Sequence, residues 1–150
     1  MKEDKFYYKD GTTSSEYNTS KVIHRIDGPA CEYADGDKFW YIDSKLHRID
    51  GPALEYTDGT KLWYIDGRRH RTDGPAAEYG SGTKAWYIDG KQHRIDGPAV
   101  EYPYGAKRWY VDGEHYTKED FNQLIEEIRQ LPKVLRLIYP REWVRNYEEK

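Results

Sequence analysis

The sequence predicts a mainly β protein: an elongated antiparallel sheet of repeated β-hairpins, two strands per 23-residue repeat, with a short α-helical C-terminal cap. Three observations predict it. His24, His47, His70 and His93 stand 23 residues apart, as do Trp40, Trp63, Trp86 and Trp109, with Tyr33, Tyr56, Tyr79 and Tyr102 in step. Within each period, two short stretches of the type Ala-x-Glu-Tyr and Lys-x-Trp-Tyr-Ile flank a glycine turn such as Asp58-Gly59, the strongest short-range hairpin signal. Beyond Gly113 the period stops and apolar residues recur at helical spacing.

Composition is compatible with this architecture and excludes several others. A mean hydropathy of -1.08 and 34% charged residues would suit a disordered chain, but 15 Tyr, 5 Trp and 3 Phe supply a thin aromatic core with polar handles. The net charge of -3 with alternating signs lacks the concentrated basic footprint of a nucleic-acid binder. A single cysteine, Cys31, excludes an intramolecular disulfide framework and a cysteine-rich zinc cluster. No apolar leader opens the sequence and no run of roughly 18 apolar residues occurs, so the expected location is the cytoplasm, without membrane insertion.

Taken in order, residues 1–23 read as a partial leading repeat and a loop: KFYYKDG matches KFWYIDS, and TTSSEYNTSKVI is an insertion expected at the surface. Residues 24–113 carry four units of the form H-R-I-D-G-P-A-x-E-Y-x-D-G-x-K-x-W-Y-I-D-G-K-x. The segment from Ile-Asp-Gly to the next proline is expected to return the chain to the following hairpin, with proline setting φ at the strand entrance. A two-residue Asp-Gly loop pairs Tyr56 with Lys61, Glu55 with Leu62 and Leu54 with Trp63. One face then carries Leu54, Tyr56, Trp63 and Ile65 as the packed side. The other carries Ala53, Glu55, Leu62 and Tyr64. Residues 114–150 are the expected helical cap. Thr117 to Asp120 resembles a capping box, Phe121, Leu124, Ile125, Ile128 and Leu131 share a helical face, Pro132 ends it, and KVLRLIY at 133–139 suggests a second short helix.

Repeated histidines invite a metal hypothesis that strand spacing opposes. Equivalent residues two strands apart lie about 9.6 Å from each other, while ligands of one zinc converge within about 4 Å. No cofactor is expected. His24, His47, His70 and His93 are instead expected to bond neighbouring carboxylates or backbone, and with Trp40, Trp63, Trp86 and Trp109 to form a structural ladder. No catalytic residue is expected either: the titratable groups come in four copies rather than as one pocketed group, and Cys31 occupies a position filled elsewhere by Leu54, Ala77 and Val100. Lys38, Lys61, Lys84 and Lys107 beside aromatics suggest single-strand stacking, but Glu32, Glu55, Glu78 and Glu101 would repel phosphates.

The phrase WYIDGKxHRIDGPAxEYxDG resembles the variant membrane-occupation-and-recognition-nexus, or MORN-like, repeats, in the form found in proteins of bacteriophages and large DNA viruses. The likeness covers residues 24–113 well and residues 5–11 loosely. The resemblance implies an elongated β scaffold that binds proteins, and in its viral form an inhibitor of a host defence or regulatory protein. It implies no catalytic residue, and the departures from the standard unit's spacing leave lipid binding out. The expected partner is a protein, met through the positions that change between repeats, Phe39, Leu62, Ala85 and Arg108, and the tyrosines beside them, Tyr41, Tyr64, Tyr87 and Tyr110. The alternative is a structural scaffold that self-associates as a homo-oligomer.

Overall fold

The computed structural model describes residues 2–131. An 11-stranded antiparallel sheet forms its spine, and each full repeat contributes two neighbouring strands: Cys31–Glu32 with Lys38–Phe39, Leu54–Glu55 with Lys61–Leu62, Ala77–Glu78 with Lys84–Ala85, and Val100–Glu101 with Lys107–Val111. The second strand of one repeat pairs with the first of the next, placing Phe39 opposite Leu54, Leu62 opposite Ala77, and Ala85 opposite Val100. The leading segment follows the same rule. Lys5–Tyr7 sets Lys5 opposite Glu32, as Lys38 is set opposite Glu55. The inserted segment adds one edge strand, Thr13–Ser14, beside it.

The connection between repeats holds more structure than its sequence suggested. It folds into a second, outer hairpin: Tyr41–Ile42 with Lys45–Leu46, Tyr64–Ile65 with Arg68–Arg69, and Tyr87–Ile88 with Lys91–Gln92. Its turn has two residues in the left-handed region, Asp66 at φ 48° and Gly67 at φ 78°, as a type I′ hairpin requires. The Gly67, Gly90 and Gly113 amides donate to the Leu46, Arg69 and Gln92 carbonyls of the preceding outer hairpin, so the outer hairpins also stack in a row. Each of these units therefore adds an outer hairpin to its two spine strands, and an even strand number keeps chain direction the same from repeat to repeat.

The expected register of the inner hairpin is corrected. The observed partners are Glu55 with Lys61 and Leu54 with Leu62. The Asp58-Gly59 loop has three residues rather than two: the Tyr56 amide donates to the Thr60 carbonyl, the Gly59 amide to the Tyr56 carbonyl, and Gly59 sits at φ 89°. This is a type I turn closed by a left-handed glycine. A slip of one residue turns the whole second strand over. Leu62 and Tyr64 consequently join Leu54 and Tyr56 on one face, and Trp63 lies on the other with Glu55.

The core is a row of small clusters. Phe6, Tyr8, Ile23, Ala30 and Cys31 form the first, with Tyr33, Phe39 and Tyr41 against them. Leu54, Leu62, Ala77, Ala85 and Val100 form the central one, roofed by half-buried tyrosines. Edge-to-face contacts between Phe6 and Tyr33, Tyr33 and Phe39, and Phe39 and Tyr56 run from one to the next. The third cluster joins Ile95 and Val111 to the helix α1, Lys118–Gln130, through Phe121 and Ile125. Thr117 caps α1 by accepting the Asp120 amide, and its hydroxyl donates to the Asp120 carboxylate. Leu131, extended as suits a residue before proline, ends it. The expected second helix at 133–139 lies outside the described residues.

Candidate partner-binding surfaces

The HRIDGP phrase builds the same loop in every repeat, and its arginine is the organiser. Arg48 Nε donates to Asp50, and its Nη1 donates to the Pro52 carbonyl and to Glu55 at 2.8 Å. The guanidinium carbon lies over Trp40, 4.0 Å from the ring centroid. Arg71 does the same with Asp73, Pro75, Glu78 and Trp63, and Arg94 with Asp96, Pro98, Glu101 and Trp86. Arg25 stacks on Tyr7, the aromatic of the leading unit. The arginine hydrogen bond holds the carboxyls of Asp27, Asp50 and Asp73 below the usual carboxylate range. Arginine suits this post because one planar fork meets a ring face and several acceptors together.

Each histidine is tied to the outer turn at the far end of its own repeat. The Asp43, Asp66, Asp89 and Asp112 amides, each in a type I′ turn, donate to Nδ1 of His24, His47, His70 and His93 at 3.0 to 3.3 Å. The Asp43, Asp66 and Asp89 carboxylates lie 3.0 Å from the same ring nitrogen of the first three. Among the described residues, no group of three His, Cys, Asp or Glu side chains is placed to hold a metal ion. Burial pushes the Cys31 thiol up to about 12, which keeps it protonated and unreactive at neutral pH.

The residues expected to meet a partner fall on the core side of the sheet. Leu62 and Ala85 are 6% and 3% exposed, and Phe39 is half-buried between Tyr33 and Tyr56. Tyr41 packs on the Cys31 cluster, and burial pushes its phenol up to about 12. Tyr64, Tyr87 and Tyr110 pack on the central cluster, with the Arg69 guanidinium bonding the hydroxyls of Tyr64 and Tyr87. Arg108 is exposed and lies 5.8 Å above the Tyr102 ring. Trp40, Trp63 and Trp86 stand on the opposite face, half-buried under Arg48, Arg71 and Arg94, and Trp109 packs on the cluster that includes α1. The separation of a packed Trp face from an open Leu62–Tyr64 face therefore does not hold.

A surface that the sequence reading passed over lies beside the Trp ladder. The Ile of the HRIDG phrase is 87% exposed at Ile26 and 86% at Ile49, but 6% at Ile95. At Ile95 the cover is α1. Around Ile49 an open groove of about 670 Å³ is lined by Pro52, Trp63, Ile65, His70 and Thr72, with Arg48 and Arg71 at its sides. No protein-family model and no curated protein matches this chain. Among the described residues, no helix is long and apolar enough to cross a membrane. The signal for the groove was present in the sequence as an isoleucine inside a polar loop. Its meaning depends on which copies the helix covers.

Proposed function

We propose that this chain is a non-enzymatic protein-binding module of MORN-like type, whose hairpin repeats present a periodic surface to another protein. The observation that carries the reading is the pair Ile26 and Ile49, β-branched apolar side chains held almost fully in solvent at equivalent points of a rigid loop. Isolated exposed apolar residues are ordinary; two at equivalent points of successive loops, with Thr72 at the third and Ile95 covered at the fourth, make the kind of surface a repeat scaffold offers a partner. The arrangement of titratable groups supports the non-catalytic part. His, Arg, Asp and Glu repeat in the same structural bonds from unit to unit, whereas catalysis draws on one group set apart by its surroundings. In its sharpest form the reading makes the chain a viral factor that occupies a host defence or regulatory protein in the cytoplasm. Cross-linking the tagged full-length chain in the cells that produce it, followed by mass spectrometry, is expected to recover one protein in near-stoichiometric amount. Recovery of the chain with itself alone would replace the reading with a self-associating scaffold.

A further inference from the structure

Resting on that protein-binding reading, we infer that the tyrosine side of the sheet holds a second contact, in which Arg69 and Arg108 receive two carboxylates of an acidic, extended segment of the partner protein. Arg69 stands where Leu46, Gln92 and His115 stand in the other outer hairpins, so the fold accepts an apolar, an amide or an imidazole side chain there and requires no cation. The arginine is nonetheless half-buried between two repeats. Its Nε donates to the Tyr64 hydroxyl at 3.0 Å and its Nη1 to the Tyr87 hydroxyl at 3.4 Å, both neutral acceptors, and its Nη2 amino group has no acceptor among the described residues. Arg25, Arg48, Arg71 and Arg94 each hold an aspartate and a glutamate. The described partners of Arg69 and Arg108 are tyrosines, with no carboxylate among them.

Charge complementarity names the occupant. Strand alternation puts Tyr64, Tyr79, Tyr87, Tyr102 and Tyr110 on this side and sends Glu78 and Glu101 to the other, where Arg71 and Arg94 hold them. The bordering turns change in the same sense, since Asp35 and Asp58 of the first two inner turns give way to Ser81 and Tyr104. From Leu62 to His115 this side therefore carries two arginines and no acidic strand residue, on a chain whose net charge is -3. Phenol hydroxyls do not offset the desolvation of a half-buried cation; a carboxylate does, and the planar fork takes one in a two-point bond. A nucleic acid fits less well, because base stacking needs open ring faces and these tyrosines are half-buried on the central cluster. Arg69 and Arg108 belong to the second and fourth repeats, four strands apart, or about 19 Å. An extended segment covers that distance in about six residues at about 3.3 Å each.

The probe is an array of immobilised peptides of about ten residues, each with two Asp or Glu at varied separation and each paired with its Asn or Gln counterpart, read with the labelled full-length chain. Acidic members with a separation of about six residues are expected to bind, and their amide counterparts at least tenfold less. Arg69→Leu, which repeats the residue found at Leu46, should lower that binding at least tenfold and leave the thermal melt unchanged. Arg69→Lys should keep only part of it, because lysine lacks the fork, and Arg108→Ala should cost less, because that residue is exposed. No preference for acidic members would overturn the proposal, as would binding indifferent to Arg69→Leu. A fluorescent single-stranded oligothymidylate whose binding Arg69→Leu abolishes would make the ligand a nucleic acid. A dimer of the chain that Arg69→Leu dissociates in sedimentation would make it a second copy; either result ends the assignment to a partner's acidic segment. A stoichiometric cellular partner captured equally well by the Arg69→Leu chain would sink this site while leaving the protein-binding function intact.

Discussion

Arg48, Arg71 and Arg94 show how one residue type can hold a repeat together with little apolar burial. Each spends its guanidinium on a ring face, two carboxylates and a carbonyl, so the loop it closes is set by several directional bonds. His93 shows how the same residue changes when its surroundings change. In the repeat whose Ile95 is covered by α1, the His93 side is buried, and burial pushes its imidazole down to about 4, only partly opposed by Asp112. The unfolded chain, with an ordinary value near 6.5, takes up the proton first. Stability is therefore full above about pH 6.5 and falls as the pH drops from there to about 4, by as much as about 3 kcal/mol at 1.36 kcal/mol per unit. Denaturant midpoints measured at pH 7 and pH 5 should fall less in His93→Gln than in the unaltered chain. An equal fall in both would place the acid sensitivity elsewhere.

At the scale of the element, two glycine turns with similar sequences do different work. Asp58-Gly59 closes a three-residue loop with one left-handed residue, and Asp66-Gly67 closes a two-residue loop with two. The inner turns are further tied across repeats: the Thr57 amide donates to the Asp37 carboxylate and the Gly80 amide to the Thr60 hydroxyl. Gly80 stands where Ala34, Thr57 and Pro103 stand in the other units, so repeat averaging would recommend Gly80→Ala as a gain in backbone entropy. The structure opposes it. A Cβ at Gly80 would overlap the Asp58 carbonyl oxygen, a backbone atom that cannot swing aside. Gly80→Ala should cost about 1 to 3 kcal/mol, the usual range for overpacking, read from urea melts. A stabilised variant would show that the turns are free to move apart.

For the whole molecule, the consequence of the repeat is that each unit touches mainly its neighbours, so damage should stay local. The third core cluster joins only α1 to the last unit. Phe121→Ala removes a side chain that is 5% exposed and should destabilise that end by about 3 to 5 kcal/mol. Amide hydrogen exchange is the deciding measurement: protection should fall across Val100–Tyr116 and hold at Cys31–Glu32 and Leu54–Glu55. A uniform loss along the sheet would mean that the chain unfolds as one unit and that α1 closes the whole sheet rather than its last repeat.

What this sequence determined by itself is the period, the mainly β class, the two spine strands per repeat, the N-cap at Thr117 and the packing role of Cys31. These follow from residue identity and spacing, which local chemistry reads directly. The register of the inner hairpin depended on whether Asp58-Gly59 makes a two- or three-residue loop, and both are compatible with the same dipeptide; that one-residue difference moved Leu62 into the core and Trp63 out of it. The outer hairpin was hidden because its second strand, Lys45–Leu46, Arg68–Arg69 or Lys91–Gln92, has no β-branched or aromatic residue to mark it as a strand. The exposed Ile49 and the buried Ile95 have identical local sequence, HRIDGPA, and only the tertiary structure separates them, because burial is decided by what packs on a residue from elsewhere in the chain.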